Sequence, residues 1–440
     1  MTRPNSVTTN YGYDNLSHLL SVLHQVSGST IDGASYTVDS AGNRTAKTDQ
    51  RLALTTNYGY DSIYQLLSAT QSGSTTESYS YDPVGNRLSS LGVASYTNNT
   101  SNELTATSNA TYSYDLNGNA TTKNNSTGIT TYAWDFENRM TSVTLPASGG
   151  TVSFKYDPFG RRIYKSSSTA TSVYAYDDDN LIEETNASGT VVARYAQTEN
   201  MDEPLAMLRS SATSYYEQDG LGTVTSLSNA AGALAQTYTF DSFGKQTASS
   251  GSLTNPFQFT SREFDAESSL YFMRARYFDP ATGRFISEDP SGFNDGVNFY
   301  RYVHNNPIDN SDPTGLTTYK GFPADKEADL RNAVNDALKK LRDTCSTGHS
   351  CAGADGQKIA NTIENATFVY QPKSKLCGHT GPVTFLQLRH TFGLGPAAFG
   401  PSCCSLASTL VHEVVHGMTH LSDKKPDQVE KDCFGCVVPE

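Results

Sequence analysis

The sequence predicts a mainly β fold, a shell of repeated hairpins forming a partial cocoon, followed by a small α+β domain. Three observations carry that prediction. A Tyr-x-Tyr-Asp theme returns every twenty-odd residues through the first 255, as when one supersecondary unit is stacked many times. All seven cysteines and six of the nine histidines fall after residue 316. Between the two regions lies a stretch, Tyr271 to Leu316, that shares the vocabulary of neither. The chain therefore divides into a repeat shell (1–255), an intervening core (256–316) and a C-terminal domain (317–440).

Composition narrows the classes. Of 440 residues, 36% are hydrophobic, low for a globular chain but above the range of disorder. Tyr is abundant at 26 against one Trp, which suits half-buried strands better than a large apolar core. No apolar run is long enough to span a membrane, and MTRPNSVTTNYGYD lacks the apolar region of a signal peptide, so export is expected by another route. The net charge of −13 belongs entirely to residues 1–316, because residues 317–440 hold 13 basic and 13 acidic side chains. A balanced C-terminal domain lacks the basic patch that a nucleic-acid partner would require.

The repeat can be read in YSYDPVGNRLSS. Tyr79 and Tyr81 share one face of a strand, Asp82 opens a turn, Pro83 presets its second position, Gly85 closes it, and a second strand is expected from Asn86. Copies run from Tyr11, Tyr58, Tyr112 and Tyr174, while Trp134, Phe154 and Phe240 vary one ring. The aspartates of these turns are read as structural. A wall around the C-terminal domain would need about 30 strands at 4.8 Å, so about fifteen hairpins make about one circuit.

The core carries four ordered blocks, YFMRARYFDPATGRF, SEDP, NFYRYVHNNP and DPTGL. Asp-Pro pairs serve elsewhere as plain turns. Together the blocks resemble the core of the bacterial Rhs or YD-repeat polymorphic toxins. In those, a shell ends in an aspartyl self-cleaving segment and a variable toxin follows. The resemblance implies a cut between Leu316 and Thr317, with Asp289 and Asp312 as paired carboxylates and Arg276 as their charged partner. Two carboxylates held close cannot both ionise, which leaves one as an acid and the other to activate the attacking group.

In the C-terminal domain KEADLRNAVNDALKKLRDTC has the apolar spacing of a helix, and strands are expected at 366–370 and 383–392. SLASTLVHEVVHGMTH places His412 and His416 four apart on one helical face, the separation that lets two imidazoles hold one Zn²⁺. Glu413 stands beside them to take a proton from a metal-bound water. The motif resembles the HExxH zincin metallopeptidases, and that resemblance implies Glu430 as third ligand, with His420 as the alternative. Disulfides are expected as Cys345 to Cys351, and as one of Cys403 or Cys404 to Cys433 or Cys436, in an oxidising compartment. The combined resemblance implies a secreted or surface-associated toxin releasing a zinc endopeptidase against proteins of a target cell. A cognate immunity protein and a secretion or delivery partner would accompany it. The reading from another class is a structural or adhesive surface protein with a non-catalytic, zinc-stapled cap.

Overall fold

A computed structural model describes residues 1–198, 200–292 and 296–316, with the backbone of 319–320, 367–370 and 391–394. The chain divides into two compact units, one built from residues 1–13, 19–289 and 297–315, the other from 14–18, 290–296 and 316–440. In the second unit Tyr319–Lys320, Thr367–Tyr370 and Thr391–Leu394 pair in parallel. The strand expected at 366–370 is there; the one expected over 383–392 is described only at Thr391–Leu394. The expected helices, the HExxH segment and all the cysteines lie outside the described residues.

The first unit is an antiparallel meander. Eight strands from Val7 to Ser90 form one sheet and sixteen from Tyr96 to Gly251 a second, each strand hydrogen-bonded to its sequence neighbours. The repeated motif accounts for the geometry of each hairpin. In Asp82–Asn86 the Asp82 Oδ1 accepts the N–H groups of Val84 (3.0 Å) and Asn86 (2.8 Å), while Asn86 Nδ2 donates to Oδ2 (3.0 Å). Gln65, Asn119, Arg139 and Arg161 cap their own turns in the same way. Asn86 therefore belongs to the turn, and the second strand begins at Arg87.

The second aromatic of the motif has a separate role. Just before the turn the register shifts at a β-bulge, as at Ser80/Tyr81, Ala133/Trp134 and Lys155/Tyr156. From there Tyr60, Trp134, Tyr156 and Tyr176 donate to the backbone carbonyls of Arg44, Ala120, Met140 and Arg162, each in the hairpin before (2.6–2.9 Å). Trp134 can replace Tyr because an indole N–H makes the same bond.

Because a meander reverses at every strand, the turns that follow odd-numbered strands all lie at one rim. Asp39, Asp61, Asp82, Asp115, Asp135, Asp157, Asp219 and Asp241 all open such turns. The opposite rim carries tight turns such as Ser27–Gly28 and Ser72–Gly73.

The meander also closes on itself. Strand Ser29–Val38 meets Ala212–Gln218 and Val224–Ser228, about nineteen strands further on. At about 4.8 Å per strand this is a circuit of about 90 Å, smaller than the ~140 Å expected from the C-terminal domain's size. The seam is polar. Glu217 lies 2.9 Å from Arg3 and 3.0 Å from His24, Lys47 reaches Asp219 at 2.5 Å, and Asp32 accepts from Thr225 (2.7 Å) and Ser226.

A narrow circuit suffices because its interior is filled by residues 256–289 and 297–315 of the same unit. A small antiparallel sheet, Glu263–Asp265, Leu270–Met273, Arg276–Asp279 and Arg284–Phe285, carries Tyr271, Phe272, Phe278 and Phe285 into contact with Leu66, Tyr79, Phe154 and Phe243 of the shell. This plug also grips the Asp-turn rim. The carbonyls of turn glycines Gly85, Gly118, Gly222 and Gly244 accept from Asn305, Tyr300, Ser261 and Tyr271 (2.7–2.9 Å). Deeper in, Arg162 pairs with Glu263 (2.8 Å) and Asp265 (2.5 Å). Burial would raise Asp265, but the charges of Arg162 and Lys165 hold it below the ordinary carboxylate range.

Candidate functional site

The plug brings Arg276, Asp289 and Asp312 together. Arg276 opens the second strand of a hairpin whose turn is only Arg274–Ala275, with Met273 opposite Arg276 in register. Asp289 is fixed by its N–H, which donates to the Phe299 carbonyl (3.0 Å). Asp312 follows the short strand Asn310–Ser311. All three are buried. The guanidinium stacks on Phe285, its carbon 3.6 Å from the ring centre. Its Nη2 faces both carboxylates, 2.9 Å from Asp289 and 3.3 Å from Asp312, and Nη1 donates to Phe299 O (3.1 Å). Burial first, and the Asp312 charge as well, push the Tyr302 hydroxyl up, so that ring stays neutral beside the pair.

The DPTGL segment is strapped across the same hairpin turn. Three successive carbonyls are held by three successive residues: Pro313 O by Arg274 Nη1, Thr314 O by the Ala275 N–H (3.1 Å), and Gly315 O by Arg276 Nε. Only glycine fits at 315, where φ is +73° and a Cβ would stand 2.3 Å from the Met273 carbonyl. Arg276 thus holds both carboxylates and the last carbonyl before Leu316.

Sequence reasoning missed Asp202. It lies in the shell turn before strand Pro204–Arg209 and outside the Tyr-x-Tyr-Asp frame. Its carboxylate takes Arg262 at 2.5 Å and Arg274 at 2.9 and 3.1 Å. Arg274 is the residue that holds Pro313, so a shell residue braces the strap. No local signal marks Asp202, because its partners are 60 and 72 residues away. His412, Glu413, His416, Glu430 and His420 lie outside the described residues, and their reading rests on the donor set: two imidazoles and a carboxylate suit Zn²⁺.

A repeat-built β belt closed on itself and filled by its own downstream strands defines a class of shell protein. The chain belongs to the Teneurin YD-shell family, which matches residues 51–308. It is 33% identical over 276 residues to the tRNA3(Ser)-specific nuclease WapA of Bacillus spizizenii, a match covering 58% of this chain and 12% of that protein. It is 37% identical over 84 residues to toxin subunit YenC2 of Yersinia entomophaga, covering 19% of this chain and 8% of that one. The fold resembles the crystal structure of TcdB2-TccC3 without its hypervariable C-terminal region, with a TM-score of 0.60 at 21% identity over 71% of this chain and 18% of that one. The chain thus spans a small part of these relatives' length. The family match ends at residue 308, before the C-terminal domain begins.

Proposed function

We propose that this chain is a toxin shell that cuts its own C-terminal domain free between Leu316 and Thr317. The observation that carries the reading is the single guanidinium of Arg276, which faces Asp289 and Asp312 and also holds the Gly315 carbonyl. In the reaction the ionised carboxylate takes a proton from water as its oxygen bonds to the Leu316 carbonyl carbon. The protonated partner gives its proton to the Thr317 nitrogen as the C–N bond breaks, leaving a carboxylate and a free amine. Arg276 orients the pair and keeps the strap docked.

We assign the released domain as a zinc-dependent endopeptidase. His412, His416 and Glu430, or His420 in its place, would hold the ion, and Glu413 would take the proton. Bound zinc supplies a water of lowered pKa. A nuclease is the second reading, favoured by the WapA names, although the balanced charge of residues 317–440 supports a protein substrate. Delivery into a target cell and a cognate immunity protein belong to the same proposal.

Intact mass of the purified full chain tests the first step. The expected result is a fragment beginning at Thr317, lost in Asp312→Asn; an uncut wild type refutes it. For the released domain, Glu413→Gln in the full chain is expected to abolish killing of a sensitive cell. Degraded tRNA and undiminished killing in that variant would favour the nuclease, and a wild type that is uncut and harmless would favour the structural surface protein.

A further inference from the structure

One Asp turn departs from the rule of the repeat. In the turns opened by Asp14, Asp39, Asp61, Asp82, Asp115, Asp135 and Asp157, the side chain four residues on bonds the carboxylate oxygen Oδ2. At Asp219 Lys47 takes that place from across the seam. Asp241 keeps only half of the pattern. Its Oδ1 accepts the N–H groups of Phe243 (3.0 Å) and Lys245 (2.9 Å), but the Lys245 side chain is exposed and no group among the described residues donates to Oδ2. Beside it stands Glu77 of strand Ser74–Tyr81, both of whose oxygens lie 3.1 Å from the Ser242 nitrogen. The Tyr79 hydroxyl donates to Glu77 Oε2 (2.7 Å). Neither Glu77 nor Asp241 makes an ion pair among the described residues.

Both carboxylates line a cavity of about 110 Å³ inside the belt, together with Tyr58, Tyr238 and Phe240. Leu52, a lining residue 46% exposed, marks where the cavity meets solvent. The two cations that line it are committed elsewhere. Lys47 lies 2.5 Å from Asp219, and Arg44 stacks on Tyr36 (4.4 Å) while donating to the carbonyls of Gly220 and Ile308 (2.9 Å each). A further lining carboxylate, Asp49, has Arg51 at 3.5 Å. Four carboxylates thus stand against two cations, and the excess falls on Glu77 and Asp241. Burial first, and then the charge of Glu77, raise Asp241, and Arg87 acting in the opposite sense does not cancel them. Charges withdrawn from water are ordinarily paired, so the arrangement calls for a positive group.

We propose that this cavity binds a small organic cation, a primary ammonium on a short aliphatic stem, with its head between Glu77 and Asp241 and its stem among Tyr58, Tyr238 and Phe240. An ammonium brings three donors, and Asp241 Oδ2 is an acceptor that the turn leaves open. Aromatic rings suit both parts of such a ligand, since they attract a cation and cover an apolar stem. The space has room for about eight water-sized groups, far more than a bare metal ion fills. The described residues also contain no group of three His, Cys, Asp or Glu side chains that could hold a metal. A neutral polyol would fill the cavity but leave both charges uncompensated. The site is independent of Asp289 and Asp312, neither of which lines it.

The test is calorimetric titration of the full chain with n-butylammonium chloride at pH 8 and constant ionic strength, with 1-butanol as the neutral molecule of the same shape. Saturable binding at one site per chain is expected for the ammonium and none for the alcohol. Glu77→Gln and Asp241→Asn keep the acceptors that hold the turn but each remove one charge, and each is expected to weaken binding at least tenfold; should one variant not fold, the other carries the comparison. Failure of the wild type to bind, equal binding of the alcohol, undiminished binding in a folded variant, or displacement of the ammonium by equimolar calcium would each overturn the proposal.

Discussion

Replacing Asp202 with Asn removes one negative charge from the shell and is expected to slow release of the C-terminal domain. The amide keeps the shape but leaves Arg262 and Arg274 facing each other, and the charge of Arg274 already adds to burial in depressing Arg262. Hydrogen bonds to charged groups contribute about 1.5–3 kcal/mol each. If the loss falls on Arg274, its hold on Pro313 weakens by a similar amount, and cleavage slows by about tenfold to somewhat over a hundredfold. The assay is cell-free synthesis of the full chain with timed quenching, reading the rate at which the Thr317 fragment accumulates by mass. Glu184→Gln serves as control, since Glu184 pairs with Arg209 away from the strap and its loss reports general weakening of the shell. A wild-type rate in Asp202→Asn, or an equal slowing in both variants, would refute the bracing role.

Two further predictions concern stability. Arg162→Met strands Glu263 and Asp265 in the interior and is expected to cost about 3 kcal/mol, the low end for a broken buried pair because Lys165 still reaches Asp265 at 3.0 Å; a urea midpoint unchanged from wild type would contradict it. Asp241 is pushed from 3.8 up to about 7, by burial first and then by the charge of Glu77. A carboxyl raised in the folded state holds its proton more tightly there, so this contribution is full below about pH 4 and is lost as pH climbs through 7, by about 2–4 kcal/mol. Asp241→Asn should flatten that decline between pH 5 and pH 8, and parallel curves for variant and wild type would count against the assignment.

What the sequence made legible was local. The Asp-x-x-Gly turn, the alternation of Tyr79 with Tyr81, and the grouping of Arg276 with Asp289 and Asp312 all rest on residues a few positions apart or on a recognisable block order. What stayed hidden was long-range. The role of Tyr156 depends on a carbonyl sixteen residues back at Met140. Closure of the belt depends on Arg3 finding Glu217, and the bracing of the strap on Asp202. The circumference expected from the sequence is too large because it leaves out the plug, whose aromatic rings pack against the belt.

The placement of the Tyr-x-Tyr-Asp turns at one rim has a consequence for how such a chain can change length. Deleting a single strand would reverse the direction of every strand after it and send each later Asp turn to the opposite edge, away from the plug groups that read its glycine carbonyl. Deleting a hairpin preserves the parity of everything downstream. Viable insertions and deletions in this shell are therefore counted in twos, a step of about twenty residues, and intermediate lengths are closed to it however well each new strand might pair with its neighbour.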